Sequence, residues 1–183
     1  MNKSFMQKFR YRAVAVTAVA LALGSVVTTA TTVQAAPAEG FVDGWDNVTD
    51  DWGDEGVLST TQHANSGATG IWQAILYNDG FLNRSDIDCK FGPATAEATR
   101  KWQAKYLGAS QADGIVGPKT FGKASSWLSL IGYGPGYHTF RYDGEVLLPI
   151  SFDRDDATGR YRFYRRPEPS GVVDGYYNSM GGC

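Results

Sequence analysis

Apolar residues recur at helical spacing through the middle of this chain. Ile71, Trp72, Ile75 and Leu76 share one face of a helix that starts near Ser66 or Thr69 and stops at Asp79-Gly80. Ala94, Ala98, Trp102 and Tyr106 step by four through a second helix, opened by Pro93 and closed by Gly108. Phe121, Ala124, Leu128 and Ile131 step by three and four through a third, opened by Pro118. Ahead of this segment, Trp45, Trp52, Val57 and Leu58 fall without period among acidic residues. Behind it the period shortens to that of strands. Residues 137–142 and 145–152 flank Asp143-Gly144, a hairpin signature. A third run, 160–166, would put Arg160, Arg162, Tyr164 and Arg166 on one face and Tyr161, Phe163 and Arg165 on the other. The patterning predicts a mainly α protein: a small three-helix domain over 68–131, an irregular acidic arm over 36–67 and a short β-rich tail over 132–183.

The two loops that join the helices are copies of one another. Asp88-Cys89-Lys90-Phe91-Gly92-Pro93-Ala94-Thr95 reaches Trp102 seven residues after its Thr. Asp113-Gly114-Ile115-Val116-Gly117-Pro118-Lys119-Thr120 reaches Trp127 at the same offset, twenty-five residues further on. Asp and Gly suit a tight turn, and Pro suits the first turn of a helix, where its missing N–H is no loss. Asp88, Gly92, Pro93, Thr95, Asp113, Gly114, Gly117, Pro118 and Thr120 are therefore read as turn and cap residues. Cys89 breaks the pattern by standing where the second copy has Gly114.

The first 35 residues read as an export signal. Lys3, Lys8, Arg10 and Arg12 precede an uncharged Ala/Val/Leu-rich stretch, and Val33-Gln34-Ala35 is a small-x-small cleavage signal. The stretch is shorter than the ~20 residues a spanning helix needs, so no membrane association is expected after cleavage. Losing four basic residues from 17 leaves 13 Lys and Arg against 19 Asp and Glu, a formal −6. That balance argues against a nucleic-acid partner. Seven of the acids lie in the arm, which has no Lys or Arg before Gly67.

Residues 68–127 resemble the bacterial peptidoglycan-binding domain of three-helix type. The resemblance is carried by Trp72-Gln73 with Leu76, by the Asp88–Thr95 turn, by Ala98, Trp102 and Gln103, and by Asp113–Thr120 at every position. It implies a secreted or cell-wall-associated, monomeric protein whose partner is peptidoglycan. Arg100 and Gln103, three apart on one side of the second helix, are the candidate donors to stem-peptide carboxylates. Trp72, Trp102 and Trp127 sit on apolar stripes and are expected in the core.

No cofactor or metal is expected. Asp86-x-Asp88 begins like a calcium loop, but Lys90 takes a ligand position and Phe91 stands where that loop needs Gly. His63 and His138 lack zinc-ligand spacing. The two cysteines of an exported chain predict one disulfide, Cys89–Cys183, with a loop long enough to contribute about 4–5 kcal/mol in the chain-entropy model. The expectation is thus a non-catalytic binding module. The alternatives are a wall hydrolase or transpeptidase targeted by the helical domain, with His138 and Cys183 as the pair to test, and a secreted inhibitor or structural protein on the same frame.

Overall fold

The structure, a computed structural model, describes residues 40–145, 150–164 and 171–183. The predicted export signal, the start of the arm, Arg165 and Arg166 lie outside the described residues. Three helices form where the pattern places the first two and the start of the third. Helix α1, Gly67–Asn78, begins at Ser66, whose hydroxyl accepts from the Thr69 amide at 3.0 Å. Helices α2, Pro93–Tyr106, and α3, Pro118–Ser125, each begin on an extended glycine followed by proline. Cys89 takes φ +60° and Gly114, its counterpart, φ +78°. Both turns therefore need the left-handed conformation that glycine adopts at least cost.

The tail is no appendage, and the mainly α expectation is corrected. Five strands, β1 Leu128–Gly134, β2 Tyr137–Tyr142, β3 Ile150–Asp155, β4 Tyr161–Tyr164 and β5 Val172–Asp174, form an antiparallel sheet in sequence order. The third helix does not reach Ile131, because α3 stops at Ser125 and Leu128 and Ile131 belong to β1. Spacing by three and four over 121–131 is satisfied only as far as Ala124. Beyond it, Gly132 and Gly134 weaken a helix, while β2 supplies a full hydrogen-bonding ladder. The register slips at a bulge between Leu130 and Gly132, which leaves Leu130 and Ile131 exposed.

One core serves helices, sheet and arm. Phe140, Phe152, Phe163 and Val173 are cross-strand partners from β2 to β5, all buried. The α1 helix lies against this sheet at β3 and β5. Trp72 and Trp102 meet edge to face at 5.0 Å, and Trp102 continues to Tyr106 and Trp127. The arm is irregular, as its aperiodic sequence predicts, yet it is built in. Trp52 is fully buried, its ring 6.1, 5.6 and 5.2 Å from Phe121, Phe152 and Tyr161, and so joins α3, β3 and β4. Val42 bonds Gly175 and Tyr161 through its backbone, and Leu58 pairs with Val116. Trp45, the other Trp of the arm, stays half exposed.

Candidate functional site

Each repeated turn is closed by a glutamine from the preceding helix. Gln73 Nε2 donates to Asp88 Oδ1, the Lys90 carbonyl and Thr95 Oγ1 at 2.9–3.1 Å, while its Oε1 accepts from the amides of Asp88 and Cys89. Gln103 repeats the arrangement, donating to Asp113 Oδ1, the Ile115 carbonyl and Thr120 Oγ1 and accepting from Gly114 N. Asp88 and Asp113 in turn accept from the amides two residues on. One buried amide side chain thus satisfies the polar groups of a whole helix start. The sequence carries the signal as Trp72-Gln73 and Trp102-Gln103. The twenty-five-residue register hides it, since Gln73 stands fifteen residues before its Asp and Gln103 ten.

This geometry separates the two candidate ligand donors. Gln103 is 2% exposed and both ends of its amide are engaged within the turn, so it faces inward. Arg100 is exposed and pairs loosely with Glu97 at 3.5 Å. The two do not form a joint donor set. The Trp expectation holds for Trp72 and Trp102, both fully buried, while Trp127 is half-buried at the core's rim. Of the arginines foreseen on one face of the 160–166 run, the two that the structure describes are engaged within the molecule. Arg162 lies beside Asp153 and over Tyr137, and Arg160 stacks over Phe41.

The arm forms an open recess of ≈ 380 Å³ lined by Asp43, Asp46, Asp50, Asp51 and Asp54, with Trp45 on its rim. Two carboxyls of the arm are buried. Asp51 accepts from Arg154 at 2.6 Å and from the Tyr161 hydroxyl at 2.5 Å, and burial still raises its pKa. Glu55 accepts from Tyr177 and the Asp43 amide, both at 2.7 Å. Burial, reinforced by the charges of Asp43 and Asp54, pushes Glu55 up to about 8. A third buried carboxylate, Asp79 at the end of α1, accepts from Trp102 Nε1 and the Tyr142 hydroxyl at 2.7 and 2.6 Å. Burial and the adjoining carboxylate push the Tyr142 hydroxyl well up. Chemically, the recess suits cationic or hydroxyl-rich groups. Among the described residues no cluster of His, Cys, Asp or Glu could hold a metal ion.

Cys89 and Cys183 are joined as a disulfide, with Cα atoms 6.1 Å apart. The bond is compatible with an oxidising, extracellular compartment. It also removes the Cys183 thiolate that a transpeptidase would need. His138 is engaged with Asp156 instead. Among the described residues no helix is long and apolar enough to cross a membrane. No protein-family model, curated protein or solved structure matches this chain.

Proposed function

We propose that this chain is an exported, non-catalytic protein that binds peptidoglycan through its helical region and acts in or near the cell wall. The carrying observation is the doubled turn–helix unit, in which two glutamines close two like turns, over the residues that resemble the wall-binding domain. The resemblance is a likeness of frame, and the ligand is inferred from it. Arg100, on the exposed side of α2, is the donor on offer for a stem-peptide carboxylate. The disulfide and the export signal support the location.

The test pairs sedimentation with insoluble purified peptidoglycan and a turbidity-clearing assay on the same material. Pelleting without clearing is the expected result. Clearing would replace the binding reading with a hydrolase, for which two placed carboxylates suffice. Neither pelleting nor clearing would overturn the ligand assignment and leave the inhibitor or structural alternative.

A further inference from the structure

The segment that follows β5 folds back over the sheet edge and the start of α1. The Asp174 amide donates to the Gly181 carbonyl at 2.8 Å, so a group that would face solvent on an edge strand is covered. The Gly67 amide donates to Ser179 O at 2.7 Å and the Ala68 amide to Tyr176 O at 3.0 Å. These are among the first N–H groups of a helix, which have no partner within it. Ser66 serves the two amides that follow them, Thr69 through its hydroxyl and Gly70 through its carbonyl.

The fit is close enough to dictate residue type. A Cβ on Gly181 would stand 2.3 Å from the Asp174 carbonyl oxygen, and one on Gly182 2.1 Å from that of Val172. Both glycines have positive φ, +55° and +99°. Upstream, Tyr177 ties the same segment to the arm, through its hydroxyl to Glu55 and through its carbonyl to His63 Nδ1 at 2.9 Å. The Cys183–Cys89 disulfide ties the far end of the segment to the first repeated turn. Cys183 is exposed, while Cys89 is buried beneath it beside Gly70 and α1.

We propose that the Cys89–Cys183 disulfide is a reducible latch: opening it releases residues 179–183 and uncovers the β5 edge and the first turn of α1 while the helices and the sheet stay folded. A dithiol is the reductant. One of its thiolates attacks the sulfur of Cys183, the exposed residue of the pair, and Cys89 leaves as a thiolate that takes up a proton in its buried site. The second thiol of the reductant then displaces Cys183 from the mixed disulfide. The protein gains two electrons and two protons, and the dithiol becomes a cyclic disulfide. The rest of the fold does not hang on the bond. The α1 helix keeps its Ser66 cap and buried face, and the Cys89 turn keeps Gln73.

The test is native-state hydrogen exchange on the full chain, with and without dithiothreitol, together with free-thiol counting. Two thiols should appear without denaturant. Exchange at the Gly67 and Asp174 amides, whose acceptors Ser179 and Gly181 leave with the segment, should accelerate at least tenfold more than exchange in α2, β2 and β3, with protection restored on reoxidation. The double variant Cys89→Gly, Cys183→Ser should show the fast pattern without reductant, since φ +60° at position 89 accepts glycine. Three results would overturn the latch: a bond that resists reduction until the protein unfolds, exchange rising by the same factor throughout on reduction, or unchanged protection at the Gly67 and Asp174 amides in the reduced protein and the double variant.

Discussion

Replacing Glu55 by glutamine should flatten a defined part of this protein's stability-versus-pH curve. Glu55 is 2% exposed, and its carboxyl sits at about 8 in the fold, against 4.5 for the ordinary side chain. Between those values the unfolded chain has released the proton and the native protein still holds it. The group's contribution is therefore fully present below pH 4.5 and is lost as pH rises towards 8. From pH 5 to the native value, three pH units at about 1.36 kcal/mol each amount to roughly 4 kcal/mol. Glu55→Gln keeps the shape and an acceptor for the Asp43 amide but has no proton to release. Urea unfolding followed by tryptophan fluorescence at pH 5, 7 and 9, with the disulfide intact, measures the difference between variant and parent. The variant should gain on the parent by roughly 4 kcal/mol between pH 5 and pH 9. Asp51 and the other acids titrate in both proteins and largely cancel. A difference that stays constant across this range would refute the argument, for it would mean that Glu55 ionises normally despite its burial.

The remaining predictions concern the turns, the core and the proposed ligand surface. Gln103→Ala leaves the Gly114 amide and the Thr120 hydroxyl without their partner and should cost roughly 3–5 kcal/mol in urea unfolding. Asp79→Ala strands two buried donors, Trp102 Nε1 and the Tyr142 hydroxyl, and should cost about 2–4 kcal/mol by the same assay. Trp52→Ala should cost roughly 3–5 kcal/mol and lower the melting temperature of arm and sheet together, since one ring joins them. Arg100→Ala should change stability by less than about 0.5 kcal/mol yet reduce pelleting with peptidoglycan several-fold, and unchanged pelleting would remove Arg100 from the contact surface.

Helix starts were the most legible part of this chain, because their determinants are local. Ser66, the Gly-Pro pairs at 92–93 and 117–118, and Asp79-Gly80 each act on backbone within a few residues. The pairing of β2 with the strand after it and the alternation of Tyr161 and Phe163 were legible for the same reason. The two-residue Asp143-Gly144 turn is corrected: Tyr142 pairs with Ile150, so the connection runs over 143–149 and the second strand is 150–155, not 145–152. The ends that depend on a distant partner were not. Leu128 and Ile131 fit a helical stripe in sequence, and only pairing with β2 makes them strand. Strand β5 has three residues, too few for any period to show.

The candidate site divides along the same line. Arg100 and Gln103 are neighbours on one helix, and spacing alone puts them on the same side. Burial separates them, since the second turn folds over Gln103 and not over Arg100. The acidic arm reads as irregular because its seven acids come with no Lys or Arg and its apolar residues follow no period. Trp52, Phe41 and Val42 nevertheless enter the core, and Glu55 follows them into a site where it is most stable protonated. The sequence by itself determined the turn chemistry, the helix starts and the one possible pairing of two cysteines, all matters of local geometry or counting. The tertiary structure alone decided which charges are buried, where the third helix gives way to a sheet, and what the disulfide holds down. Those depend on desolvation and long-range hydrogen bonding, which exist only once distant segments meet.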